Sequence, residues 1–165
     1  MGEYERVRHE FPPVYDKNSR ILILGSLPSV KSREQMFYYG HPQNRFWKVI
    51  AGLTGQQVPG SITEKKELLL GQHIAISDVI AECDIIGSSD SSIRNVVPMD
   101  LQEILENAEI RQIYANGNTA KRLFERFQKT DCQREIIGLP STSPANAAYS
   151  LDRLLQAWQC IVQEL

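Results

Sequence analysis

The run Phe37-Tyr38-Tyr39-Gly40-His41-Pro42-Gln43-Asn44-Arg45-Phe46-Trp47 concentrates aromatic and amide side chains around a single turn. A Tyr or Phe beside a pocket offers a flat face on which a planar nucleobase can stack, a contact worth roughly 1–3 kcal/mol. Asn44 carries an amide that both donates and accepts, as needed to engage the edge of a polar ring. The same residue has the chemistry of a helix N-cap, with Phe46, Trp47 and Ile50 packing inward behind it. The residues alone leave both readings open.

A second group of candidates lies in loops. In Gly25-Ser26-Leu27-Pro28-Ser29 the glycine permits close backbone approach to a ligand and the proline stiffens the turn, although an ordinary strand-to-helix connection has the same composition. Ser29, Ser141 and Ser143 have hydroxyls suited either to phosphate contacts or to turns and caps. Asp78 and Asp90 read as loop-fixing carboxylates rather than general bases. Cys83, Cys132 and Cys160 are widely spaced, and His9, His41 and His73 share no ligand spacing, so neither a disulfide framework nor a metal site is expected.

A chain of 165 residues, 42% hydrophobic and 23% charged, is expected to form a single domain over 1–165. It has no apolar run near the roughly 18 residues of a membrane span. Met1 to Glu10 has no apolar core of a secretory leader, so the cytoplasm is the expected compartment. The net charge of −2 provides no general attraction for nucleic acid, so any such contact must rely on local cations. Lys31, Arg33, Arg45, Lys48 and Arg94 are the candidates.

Strand and helix signals alternate. Ile21-Leu22-Ile23-Leu24 is a short β-branched run closed by Gly25, the pattern of a strand buried on both faces. His73 to Val79, Gln112 to Ala115 and Glu135 to Leu139 read similarly. Ser61-Ile62-Thr63-Glu64 is a capping box that opens a helix stopped at Gly71, and Asp100 with Glu103 repeats the pattern. Ala120, Leu123, Phe124 and Phe127 form an apolar stripe, as do Leu151, Leu154, Leu155, Trp158, Ile161, Val162 and Leu165. The expected fold is α/β, a three-layer α/β/α sandwich around a central four-stranded, mainly parallel sheet. Ligands of such folds bind beyond the carboxyl ends of the strands. The candidate site therefore comprises Gly25 to Ser29, Asp78 onward, Asn116-Gly117-Asn118 and Leu139 to Asn146.

The His41 to Trp47 segment resembles the His-Pro-x-Asn-Arg-Phe-Trp motif of the mismatch-specific uracil-DNA glycosylases. Ser77-Asp78-Val79, Ser88 to Asn95 and Pro140-Ser141 follow in the matching order, so that about Arg20 to Leu165 is similar to the uracil-DNA glycosylase superfamily. Two positions depart from the uracil enzymes. Leu27 stands where they place a water-orienting Asn, and Leu139 where several relatives place Asn or His. With Phe11-Pro12-Pro13 and Ala115-Asn116-Gly117, this pattern resembles the hypoxanthine-DNA glycosylase branch.

The resemblance implies hydrolysis of the N-glycosidic bond of a flipped hypoxanthine in double-stranded DNA, leaving an abasic site. It implies Asn44 and Asn116 as catalytic amides. Tyr39, Gly25, Ser26, Leu27 and Phe11 would contact the base. Ser29, Ser141, Thr142, Ser143, Pro144 and Ala145 would meet the DNA, the proline-stiffened stretch pressing into the duplex. No cofactor or metal is implied, and the enzyme would act as a monomer. No lysine lies in a site motif, so no Schiff base or strand cleavage is expected. Excision of uracil and non-catalytic damage binding are the competing readings.

Overall fold

The computed structural model describes residues 2–165; Met1, the first residue of the segment read for a leader, lies outside them. In chain order the elements are β1 (Glu5–Arg8), β2 (Ile21–Gly25), α1 (Val30–Gln35), α2 (Phe46–Thr54), α3 (Ile62–Gly71), β3 (Ile74–Asp78) and β4 (Ile80–Ile85). There follow β5 (Arg94–Pro98), α4 (Gln102–Asn107), β6 (Gln112–Asn116), α5 (Asn118–Phe127), α6 (Lys129–Cys132), β7 (Ile136–Leu139) and α7 (Leu151–Trp158).

The four runs expected to be strands pair in parallel, in the order β3-β2-β6-β7. Successive side chains of a strand point to opposite faces, so each apolar run serves two cores. Ile21, Ile23, Ile74, Ile76, Tyr114 and Leu139 pack against α2, α3 and α7. Leu22, Leu24, Ala75, Ile113, Ala115 and Ile136 face a second core with Leu101, Ile104 and the α5 residues Ala120, Leu123 and Phe124. The expected three-layer sandwich is the observed architecture.

A second, antiparallel sheet, β1-β4-β5, was not anticipated. Its strands are short and half exposed, and the apolar alternation along them is weak. Long-range contacts decide their state: Arg6 of β1 pairs with Glu82 at 2.9 Å and Asp84 at 3.3 Å on β4. Val7, Cys83 and Ile85 turn inward and extend the second core. β3 and β4 are separated only by Val79, so the chain passes directly from the parallel sheet into the antiparallel one.

Helix ends follow the local chemistry with small shifts. The Ser61 hydroxyl accepts the Glu64 N–H at 3.1 Å, as a capping box requires. Gly71 is the last residue of α3, where the helix was expected to stop; Gln72 caps it and His73, at φ 65°, makes the left-handed turn into β3. The expected Asp100/Glu103 capping box does not form: Leu101 is the N-cap of α4, Asp100 accepts the Gln102 N–H at 2.9 Å from one residue earlier, and Glu103 accepts from the Tyr15 hydroxyl. The last stripe divides between α7 and a tighter 3-10 segment, Gln159–Glu164, that still buries Ile161.

Trp158 is fully buried, meets Phe46 edge-on and donates its indole N–H to the Pro140 carbonyl at 2.9 Å. Trp158→Ala should therefore reduce stability by about 3–5 kcal/mol in equilibrium urea unfolding. A loss below about 1 kcal/mol would show that this anchor is not needed.

Candidate active site at the carboxyl ends of the strands

Parallel register brings four strand ends to one level. Gly25 lies opposite Asp78, and Asn116 opposite Leu139, with Leu24 beside Ala115 between them. A cavity of about 340 Å³ opens over this line, within the range of small-ligand sites. Gly25 is required at its floor: a methyl there would come within 2.5 Å of Asp78 Oδ1 and 3.1 Å of the Tyr39 hydroxyl.

Thr142, fully buried on the loop after β7, joins the two amides. Its backbone N–H donates to Asn116 Oδ1 at 3.0 Å, and its hydroxyl accepts from Asn116 Nδ2 at 3.0 Å. The hydroxyl proton then goes to Asn44 Oδ1, 2.8 Å away. Asn44 Oδ1 also accepts the Phe46 N–H at 2.9 Å, so both of its lone pairs are engaged. The N-cap position of α2 falls to Arg45, one residue later than the cap reading placed it, and Asn44 bonds the first helical N–H from outside the helix. Its oxygen holds the first turn of α2, while its Nδ2 has no protein acceptor among the described residues and the residue lines the cavity.

Tyr39 has a left-handed backbone, φ 51°, which a non-glycine residue adopts only under constraint. The Trp47 indole N–H donates to its carbonyl at 3.2 Å, and the adjacent Gly40 N–H donates to Ser32 Oγ at 2.8 Å. The Tyr39 ring stacks on Phe46, with centroids 4.0 Å apart and planes at 17°, so only its opposite face is free for a base. Burial, reinforced by the charge of Asp78, pushes its phenol well above the ordinary value. The hydroxyl therefore stays protonated, yet it is buried without a partner in hydrogen-bond geometry.

The loop carrying Thr142 is held by Arg45. Its guanidinium donates to the carbonyls of Ser143 at 2.9 Å, Asn146 at 3.1 Å and Tyr149, and its own N–H to Thr142 O at 3.1 Å. Arg45 is thus a loop clamp and not the free cation expected from sequence. Arg33 donates to Gly87 O at 3.0 Å, Lys31 lies 3.7 Å from Glu34, and Arg94 covers the Tyr4 ring. Lys48 is exposed.

Of the residues expected to touch the base, Tyr39, Gly25, Ser26 and Leu27 line the cavity, as do Asn44 and Asn116. Phe11 does not. It is buried against Tyr38, at 4.8 Å edge-on, and His9, so its ring is core. Ser29, Ser141, Thr142, Ser143 and Ala145 also line the cavity; Pro144 is exposed and is not among the lining residues. The serines perform turn chemistry as well: Ser29 caps α1, Ser141 accepts the Ser143 N–H, and Ser143 accepts the Ala145 N–H.

Sequence reasoning underrated Asp78 and overlooked His9. Asp78, placed among loop-fixing carboxylates, is buried in the cavity wall and pairs with His9 Nε2 at 2.8 Å. No local pattern links residues so far apart in the chain. Ser88, Ser89 and Asp90 complete the opposite rim. Among the described residues no cluster of potential metal ligands occurs, and no helix is long and apolar enough to cross a membrane.

A crevice built in this way from paired amides and a half-covered aromatic sits on a chain whose residues 12–161 match the family model described as the Uracil DNA glycosylase superfamily. The chain belongs to that superfamily. It is 32% identical over 157 residues to a protein of Methanosarcina acetivorans named hypoxanthine DNA glycosylase, covering 94% of this chain and 98% of that one. A Methanosarcina barkeri protein of the same name is 37% identical over 86 residues, 52% of this chain and 54% of that protein. A solution NMR structure of a candidate uracil DNA glycosylase from M. acetivorans superposes with a TM-score of 0.79 at 33% identity, covering 93% of this chain and 94% of that one.

Thr142→Val keeps the side-chain volume but removes the hydroxyl that orders both amides. Substrate turnover should fall at least about tenfold, with a loss of stability of roughly 1–3 kcal/mol. Single-turnover kinetics and thermal unfolding on the same preparation check both parts; unchanged kinetics would remove Thr142 from the site.

Proposed function

We propose that this chain is a DNA glycosylase that hydrolyses the N-glycosidic bond of hypoxanthine in deoxyinosine and leaves an abasic site. The observation that carries the reading is the Asn44–Thr142–Asn116 relay, in which the hydrogen-bond direction of every atom is determined. Leu27, which lines the cavity, has no group that can orient water where the uracil enzymes place an Asn, and in our reading that work passes to the amides. The names of the M. acetivorans and M. barkeri relatives support the same lesion.

The two amides then divide the chemistry. Both lone pairs of Asn44 Oδ1 are engaged, so only its Nδ2 hydrogens can serve the reaction. They donate to the departing purine, whose O6 and ring nitrogens spread the negative charge that develops as the bond lengthens. Asn116 keeps one free lone pair on Oδ1 and one free N–H, enough to hold a water near the oxocarbenium-like sugar. Tyr39 stacks on the extruded base through its uncovered face. Ser29, Ser141, Ser143 and Ala145 receive the flanking backbone of double-stranded DNA, and Pro144 occupies the space that the base vacates. The protein acts as a monomer, without metal or cofactor.

Purified protein in excess over oligonucleotides carrying deoxyinosine, deoxyxanthosine or deoxyuridine, followed by hot alkali, should cut deoxyinosine fastest. No cut at deoxyinosine defeats the proposal, and dominant uracil excision would show that Leu27 does not exclude that base. Asn44→Ala and Asn116→Ala should each slow single-turnover cleavage by roughly 10²–10³. Asn44→Asp should be at least as slow as Asn44→Ala, because a carboxylate repels the anionic leaving base. Cleavage restored by Asp would disprove the donor role.

A further inference from the structure

One polar atom in the cavity wall has no role in the reaction as described. Asp78 is 3% exposed, and its Oδ2 is taken by His9 Nε2 at 2.8 Å. Among the described residues its Oδ1 has no hydrogen-bond partner, and it lies where a side chain on Gly25 would have to be. Asp78 lines the cavity, so this oxygen is open to it and available to a donor on a bound ligand. The Tyr39 hydroxyl, also buried and unpartnered, lies beside the same point.

The geometry points to Asp78 as the residue that selects the base, its Oδ1 accepting the N1–H of a lactam purine, with His9 as the positioning residue that holds the carboxylate. This rests on the glycosylase reading above. Hypoxanthine carries a hydrogen on N1, whereas adenine presents a lone pair there. A carboxylate facing N1 therefore attracts the deaminated base and repels the normal one, and a site built to accept that hydrogen bond strongly rejects a base lacking the hydrogen.

His9 is suited to the supporting role. Its ring is almost completely buried, 4.5 Å from Phe11 and 5.6 Å from Tyr38 by centroid. Its backbone N–H donates to Ala81 O at 2.8 Å, which extends the β1–β4 pairing by one residue and brings the imidazole under the β3 terminus. The antiparallel sheet thereby reaches the cavity through His9 as well as through Ile85 of β4, which lines it.

The test is the ratio of single-turnover rates on deoxyinosine and on purine 2′-deoxyriboside, which has a bare N1 lone pair and no larger substituent. Asp78→Asn, whose amide can donate to that lone pair, should lower the wild-type ratio by about tenfold or more. Asp78→Ala should lower it too. His9→Ala should move it in the same direction, and His9→Gln, which retains an N–H donor, should restore part of it. Should a variant be too slow to follow, the same ratio is read as binding of the two bases on non-hydrolysable 2′-fluoroarabino oligonucleotides. A purely structural or general-base role would slow both substrates equally, and an unchanged ratio in both Asp78 variants would overturn the assignment. Wild-type protein inert on deoxyinosine would instead remove the glycosylase reading itself.

Discussion

A fully buried threonine hydroxyl cannot be left without partners, and the arrangement of the site follows from how Thr142 meets that demand. It accepts from the amide at the end of β6 and donates to the amide just before α2, while its N–H returns to the first amide. An unpaired polar group at such a depth would cost about 1–3 kcal/mol. The three segments therefore come together in one relative position. The chain of donors also removes the usual ambiguity of amide orientation.

The surroundings protect that position. Arg45, adjacent to Asn44 in sequence, spends its guanidinium on three carbonyls of the Thr142 loop, so one dipeptide supplies both a cavity-lining amide and the brace for its partner. Trp158 holds the Pro140 carbonyl from below, and Phe46 backs Tyr39. Rigid elements thus support every group expected to touch the base, as a site that depends on preorganised dipoles requires. The cavity wall itself is acidic through Asp78 and Asp90, and several nearby cations are engaged with protein groups. The remaining polar groups of the lining are mostly hydroxyls, among them those of Ser26, Ser29, Ser88, Ser89, Ser141 and Ser143.

The join between β3 and β4 gives the antiparallel sheet a second use. With only Val79 between the strands, any distortion of that sheet reaches Asp78 within one residue. The ion pairs of Arg6 and the imidazole of His9 stiffen this join from a strand near the start of the chain.

The sequence by itself determined the four strands of the parallel sheet, the helices α3, α4, α5 and α7 and the loops that form the site. These depend on apolar periodicity, capping residues and a parallel topology whose strand ends converge, all of which are local or generic. It also singled out Asn44, Asn116 and Tyr39. Tertiary structure alone decided that Arg45 is a clamp, that Phe11 is core and that β1, β4 and β5 form a sheet. Tertiary structure also made Asp78 a cavity residue paired with His9. Each of these depends on a partner from another part of the chain. A side chain's chemistry is visible in sequence, but whether its hydrogen bonds are already taken is settled only when distant segments meet.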